Sequence, residues 1–181
     1  ILLFDYEGNI YFFISFSFFV YFRANIKNSI ADGAWNNLST WDAAGVPPNN
    51  ILNGDIVTIN NNVTHTDNII VNGALLVNSG AQLNGNFSIR VAPSGRLENH
   101  GEIDISEEFR NNGEVFNSGL LKTEEVVDRG YTCNSGTIEV EAGEEYECEG
   151  CELECGGSVI ACEVEVEEHS SVQANISNMD F

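Results

Sequence analysis

Hydrophobic residues in the middle of the chain recur at every sixth position, over two long runs. The first run comprises Val57, Val63, Ile69 and Leu75, and the second comprises Leu97, Ile103, Phe109, Val115, Leu121, Val127 and Cys133. Leu83 and Ile89 lie between the runs, with steps of eight on either side. Because side chains alternate between the two faces of a β-strand, an even step keeps all these residues on one face. A helix has no such period, and it would be destabilised by glycine at this density.

Glycine motifs mark the corners between the predicted strands. The unit Asn/Ser/His-Gly-x-aliphatic begins at Asn72, Ser94, His100, Asn112, Ser118 and Ser135. Residues 94–107 align with residues 112–125 at an offset of 18, and both glycines of the segment coincide. A fixed period with corner glycines predicts a β-solenoid, in which three short strands form each turn and the turns stack. We expect these glycines to adopt positive φ angles.

The pattern therefore predicts an all-β, single-stranded parallel β-solenoid with an N-terminal cap. At 18 residues per turn, the stretch from Gly54 to Val172 makes about six to seven turns. We favour a right-handed β-helix, and a left-handed helix of the hexapeptide type is the alternative. Residues 1–31 are interpreted as an export signal or a retained hydrophobic assembly strand, residues 32–53 as the cap, and residues 54–181 as the solenoid, with an acidic, cysteine-rich part from about residue 133.

Asparagine precedes several of the corner glycines by two positions. These N-x-G triplets begin at Asn78, Asn99, Asn111, Asn117 and Asn134. Amides in stacked turns can form a hydrogen-bonded ladder, and only Asn99 and Asn117 stand at the 18-residue offset that direct stacking needs. The alternative is that asparagine simply favours turns.

Residues 10–22 form an apolar run that is rich in phenylalanine and tyrosine. The run is shorter than the roughly 20 residues of a membrane-spanning helix. It favours the core of an export signal, with Ser29-Ile30-Ala31 as the cleavage site. The alternatives are a retained β-strand that pairs with the sheet edge of a neighbouring subunit, and a membrane anchor. Any membrane contact of the chain would be made through this run.

Two tryptophans, Trp35 and Trp41, precede the first predicted solenoid strand, and Pro47-Pro48 follows them. The first turn of a solenoid has an open sheet edge and an exposed core face. Large aromatic side chains at this place predict a buried cap. A pair that stacks on carbohydrate is the alternative.

Together, these motifs resemble a known group of proteins. W-x5-W, a G-x-P turn, G-D-x-V-x-I from Gly54 and repeated S-G-x-L and N-x-G-x-I units occur between Trp35 and Val140. This segment resembles the exported β-helical surface and adhesin-like proteins of bacteria, which are abundant in the Bacteroidetes. Its opening is also similar to the G8-type extracellular domain. The resemblance implies a β-helical fold and an extracellular or cell-surface location.

The chain is strongly acidic, with 28 Asp and Glu against 7 Lys and Arg, a net charge of -21. This balance argues against nucleic acid and anionic membranes as partners. Strand alternation predicts an outward position for Glu139, Glu141, Glu163, Glu165 and Glu167. We interpret them as a solvated face that keeps the rod soluble, and a face that binds calcium is the alternative.

The five cysteines are Cys133, Cys148, Cys151, Cys155 and Cys162. Alternation places Cys151, Leu153 and Cys155 on one face, and Cys162 with Val164 and Val166 on another. We therefore expect the cysteines to point into the solenoid, as core residues or as disulfide partners between turns. A zinc site and redox chemistry are the alternatives.

No motif of a known catalytic or nucleotide-binding site is found in the sequence, so we assign no catalytic, cofactor-binding or metal-binding residue. We expect a non-catalytic extracellular protein, such as an adhesin stalk, a matrix component or a fibre subunit that assembles through its solenoid ends or its hydrophobic N-terminal strand. Its partners would be further copies of itself, other surface proteins or polysaccharide. The alternative is a polysaccharide-binding module, or a fragment of a β-helix enzyme that acts on polysaccharide. Calcium is the one cofactor considered.

Overall fold

The computed structural model describes residues 2–4, 10–12, 25–141, 144–161, 163–166, 170–173 and 175–178. Over these residues the chain is built from β-strands, with a short 3-10 helix at Leu38–Thr40. The strands are β1 (Leu2–Phe4), β2 (Ile10–Phe12), β3 (Ile26–Asn28), β4 (Gly33–Ala34), β5 (Asn50–Ile51), β6 (Ile56–Ile59), β7 (Asn62–His65), β8 (Ile69–Val71), β9 (Ala74–Val77), β10 (Gln82–Gly85), β11 (Ile89–Val91), β12 (Arg96–Asn99), β13 (Glu102–Ile105), β14 (Glu108–Asn111), β15 (Glu114–Asn117), β16 (Leu120–Thr123), β17 (Glu125–Asp128), β18 (Tyr131–Asn134), β19 (Thr137–Val140), β20 (Glu145–Cys148), β21 (Glu152–Glu154), β22 (Ser158–Ala161), β23 (Glu163–Val166), β24 (Ser171–Val172) and β25 (Asn175–Asn178).

From β3 onward every third strand pairs in parallel, so three sheets run the length of the molecule. Sheet 1 has the order β3-β6-β9-β12-β15-β18-β21-β24, sheet 2 the order β4-β7-β10-β13-β16-β19-β22-β25, and sheet 3 the order β5-β8-β11-β14-β17-β20-β23. The strands from β6 to β23 make six complete turns, and β3, β4 and β5 make a first turn before them. This architecture confirms the predicted β-solenoid and its number of turns.

Eleven of the predicted inward residues fill the interior, and each is at most 2% exposed. They are Val57, Val63, Ile69, Leu75, Leu83, Ile89, Leu97, Ile103, Phe109, Val115 and Leu121. Paired strands hold them in columns, as in Val57 opposite Leu75 and Leu97 opposite Val115. A single turn cannot bury its own inner face, so the core arises only because neighbouring turns cover one another.

The prediction that Val127 and Cys133 continue this series is wrong. Phe109 pairs with Val126 rather than with Val127, because the corner between β16 and β17 is the single residue Glu124. The lost residue shifts every later side chain to the opposite face. Cys133 therefore points outward, and Thr132 takes the inward place opposite Val115.

The expectation of positive φ at the motif glycines is also wrong for several of them. Gly80, in a wider corner, has φ of +80°, but Gly101, Gly113 and Gly119 lie outside the left-handed region. A Cβ atom at Gly101 would instead collide with the carbonyl oxygen of Ala81 in the preceding turn. These glycines allow close approach between stacked corners.

The first turn begins earlier in the chain than predicted cap residue 32. Strand β3 pairs in register with β6 of sheet 1, and the buried Ser29 hydroxyl accepts hydrogen bonds from the backbone amides of Asn60 and Asn61. The segment 40–42 returns over this end, and Ser29 forms an antiparallel bridge with Trp41. Residues 26–29 are thus part of the solenoid itself.

A truncation series tests this role of β3. We expect a chain that begins at Asp32 to melt at a lower temperature than one that begins at Asn25, because it lacks β3 and the contacts of Ser29. Circular dichroism melts of the two chains give the comparison. Equal melting temperatures would show that β3 adds nothing to the fold.

Strands β1 and β2 form an antiparallel hairpin, in which Leu2 lies opposite Phe12. The remainder of the predicted export signal, residues 13–24, lies outside the described residues, as does Cys162. No helix among the described residues is long and apolar enough to cross a membrane.

Candidate functional site

The N-terminal cap is an aromatic cluster. Trp35 and Trp41 are 1% and 2% exposed, and their rings meet edge to face with centroids 5.1 Å apart. The Trp35 indole N–H donates to the carbonyl oxygen of Pro47, and that of Trp41 donates to the carbonyl oxygen of Trp35. The prediction of a buried cap is confirmed. With both rings inside the protein, neither forms an exposed surface on which a sugar could stack.

His65 extends this cluster into the solenoid, a role that the sequence analysis did not identify. Its ring stacks on Trp35 with centroids 4.8 Å apart and meets Phe87 edge to face at 5.3 Å. Its Nε2 atom is buried and has no hydrogen-bond partner among the described residues. Burial lowers the pKa of His65, opposed by the nearby charge of Asp67.

This lowered pKa predicts a loss of stability in mild acid. The unfolded chain takes up a proton near pH 6.5, whereas the folded chain resists protonation of His65. The stability difference is therefore intact above that pH and declines as the pH falls, by at most about 1.4 kcal/mol per pH unit. Urea unfolding of the native chain and of His65→Phe between pH 7.5 and 5 measures it, since other titrating groups cancel in the difference. Parallel pH curves would contradict the prediction.

An asparagine ladder runs through the interior beside sheet 1. Asn99, Asn117 and Asn134 are at most 1% exposed. The Nδ2 of Asn99 donates to Oδ1 of Asn117, and the Nδ2 of Asn117 donates to Oδ1 of Asn134, each at 2.8 Å. The predicted ladder is confirmed, and it continues past the shortened corner because Asn134 follows the shifted register.

A second polar column lies beside sheet 3 and contains a buried acid. The Asp128 carboxylate accepts hydrogen bonds from Asn111 Nδ2 at 2.9 Å and from the Tyr146 hydroxyl at 2.7 Å. Burial raises the pKa of Asp128, although these hydrogen bonds oppose it, and burial next to Asp128 raises that of Tyr146 well above its usual range. The signal in the sequence was the D-x-G triplet that begins at Asp128, which matches the N-x-G pattern. The column is enclosed, so it acts as a structural brace.

Two disulfides fasten the acidic part of the chain. Cys133 is bonded to Cys155 on the outer surface, and Cys148 is bonded to Cys151 within the core. The expectation that Cys133 and Cys155 point inward is wrong, whereas that for Cys148 and Cys151 is confirmed. Cys155 is exposed and has a left-handed φ of 77°, which turns its side chain outward.

The outward glutamates stand in register on sheet 3. Glu108, Glu125, Glu145 and Glu163 occupy successive strands at one position. Glu141 and Glu165 are exposed as predicted, and Glu139 lies 3.9 Å from Lys122, whereas the side chains of Glu163 and Glu167 lie outside the described residues. Within the described ranges, no three His, Cys, Asp or Glu side chains are grouped so as to hold a metal ion.

The outer face of sheet 1 carries a different arrangement, which combines aromatic rings with carboxylates. The Arg96 guanidinium lies 4.0 Å from the centroid of the Phe116 ring and pairs with Glu98 and Glu114, at 2.6 and 3.1 Å. The Phe116 and Tyr131 rings are 5.7 Å apart. Sequence reasoning missed this row, because it depends on which turns lie side by side.

A shallow groove of 340 Å³ lies at the corner between sheets 1 and 2. Its lining includes the polar side chains of Asn62, Gln82, His100 and Glu102. His100 Nδ1 is 2.7 Å from the Ser118 hydroxyl. The groove is open to solvent and suits a weakly held polar ligand more than a catalytic step that requires exclusion of water.

Comparison with known proteins adds no family to the fold. No family model matches the chain, and no curated protein or solved structure matches it. The class that the geometry itself defines is a disulfide-bonded parallel β-solenoid with a tryptophan cap.

Proposed function

We propose that the protein is a non-catalytic structural or interaction rod that works outside the cell, as an adhesin stalk, a matrix component or a fibre subunit. The observation that carries this proposal is the shortness of the corners. Between β6 and β25 each connection has only one to four residues. Enzymes and ligand-binding proteins need walls around a pocket, and such corners supply little material for them. Stacked turns of this kind are suited to rigidity and to the display of side chains in rows.

The extracellular part of this proposal is supported by the two disulfides, because such bonds persist in oxidising compartments. The resemblance of residues 35–140 to exported surface proteins is in line with this location. A net charge of -21 supports solubility of the isolated rod.

Peptide mapping tests the location. The protein is taken from its native source, its thiols are alkylated at once, and it is digested without reduction. We expect peptides that link Cys133 with Cys155 and Cys148 with Cys151. Alkylated, reduced Cys133 and Cys155 in the native material would contradict an extracellular location.

The structural role is tested by assembly and by activity together. Light scattering and electron microscopy of the purified protein report whether it forms single rods, as a stalk would, or filaments, as a fibre subunit would. Either result supports the proposal when a panel of polysaccharides stays uncleaved. Reproducible cleavage of one polysaccharide would overturn it.

A second candidate, polysaccharide binding, is favoured by the polar groove alone. Amide and carboxylate side chains such as Gln82 and Glu102 are suited to hydrogen bonding with sugar hydroxyls. Retention on a glycan array that is lost in Gln82→Ala would support this candidate. Substitution of Trp35 or Trp41 is unsuited to the test, because both rings belong to the core.

A further inference from the structure

The row of aromatic rings and carboxylates on sheet 1 repeats itself from one turn to the next. In the first instance, Phe116 is covered by the Arg96 guanidinium, which is held between Glu98 and Glu114. A planar cation over an aromatic face, with carboxylates at its edge, is a stable arrangement because the ring face and the carboxylates are both negative. The chain thus contains its own example of a bound guanidinium.

The second instance, one turn later, has the same components without a cation from the described chain. Tyr131 lies in register between Glu114 and Glu152 on the neighbouring strands, and its hydroxyl is 3.4 Å from Glu154. Partial burial, together with the charges of Glu154, Glu152 and Glu114, raises the pKa of Tyr131. No Lys or Arg stands at an outward position of the strands described in sheet 1 beyond β12.

We propose that Tyr131, Glu114, Glu152 and Glu154 form a docking site for an arginine side chain of a basic partner protein. We call these residues the Tyr131 site. The guanidinium lies over the Tyr131 ring as Arg96 lies over Phe116, and it pairs with the surrounding carboxylates. The site is partly exposed on a flat sheet, so a side chain from another protein reaches it without rearrangement of the rod.

Charge complementarity is the reason to choose a basic protein as the occupant. Residues 101–181 contain 21 acidic and 3 basic residues, so the surface around the Tyr131 site attracts cations over a distance of about one Debye length. Arginine is preferred to lysine, because its planar guanidinium both stacks on a ring and pairs with carboxylates. This inference deepens the proposed function and rests on it, since it names the class of partner that the rod would display or hold.

The test uses the full chain and an acetylated, amidated tetra-arginine peptide, with tetra-lysine as comparison. Binding is followed by 15N NMR titration at physiological salt. We expect saturable shifts centred on Tyr131, Glu152 and Glu154, and weaker binding of tetra-lysine. Tyr131→Leu should weaken tetra-arginine binding roughly three- to fivefold, while Tyr131→Phe retains it, because the ring face is what the cation contacts. Glu152→Gln with Glu154→Gln should weaken binding roughly five- to tenfold.

The matched control is Glu102→Gln with Asp104→Asn. This pair removes the same charge from two outward positions of one strand, but on sheet 2. We expect it to change the affinity less than roughly twofold, since screening limits distant charges. An equal loss in both double variants, or shifts spread over the whole acidic surface, would overturn the site in favour of diffuse attraction. So would the absence of saturable binding to a chain with an intact NMR spectrum. Failure here leaves the rod itself untouched, because the rod fails only by the polysaccharide-cleavage test.

Discussion

Trp35→Ala should lower the free energy of unfolding by about 3–5 kcal/mol, the usual cost of removing a large buried aromatic side chain. Trp35 contacts Trp41 on one side and stacks on His65 on the other, so its loss opens a cavity at the end of the core. The hydrogen bond to Pro47, which fastens the return segment of the cap, is lost with it.

Urea unfolding at pH 7.5 measures the effect, with Leu38→Ala as its control. Leu38 belongs to the same cap but is 67% exposed, so its truncation should cost less than about 0.5 kcal/mol. Similar losses in the two variants would mean that Trp35 is not buried as described. A loss of glycan binding in Trp35→Ala without a loss of stability would restore the carbohydrate-stacking hypothesis.

Asn117→Ala should lower the free energy of unfolding by about 3–4 kcal/mol, since several buried partners lose their hydrogen bonds at once. Asn117 is the middle member of the ladder and accepts from Asn99 while it donates to Asn134. Its Nδ2 also donates to the carbonyl oxygen of Thr137, which lies at 3.0 Å. A single truncation therefore breaks the connection between three successive turns.

Asn84→Ala is the matched control for the ladder. Asn84 also lies in a strand, but it points outward on sheet 2, opposite Thr64 and Asp104. Its truncation should change stability by less than about 0.5 kcal/mol. Should the two variants unfold at the same urea concentration, the ladder would be an ornament of the turns, as the turn-preference alternative holds, rather than a stabilising network.

The solenoid could be predicted from the sequence because its core repeats a simple rule. An apolar residue at every sixth place, from Val57 to Leu121, needs only strand alternation to define an inner face. The prediction failed after Glu124, where one residue is missing from a corner and the strict step no longer applies. Turn lengths actually range from 17 residues between Phe109 and Val126 to 22 between Leu75 and Leu97.

Contacts between turns were harder to predict, because they depend on these corner lengths. The Cys133–Cys155 bond, the pairing of Asp128 with Tyr146 and the stacking of His65 all join residues whose registers are defined by the turns between them. The Arg96 contact with Phe116 is of the same kind. Each residue type was visible in the sequence, but its neighbour was not.

Cross-linking between turns tests the stacked register most directly. Gln82 and Glu102 point outward on adjacent strands, 20 residues apart, and lie opposite each other. Cysteines at these two positions should be joined by a short bis-thiol reagent, because neighbouring strands lie about 4.8 Å apart. A pair at Gln82 and His100, which has the uniform offset of 18, should remain unlinked. Mass spectrometry of the digested products that found the second link in place of the first would contradict the architecture.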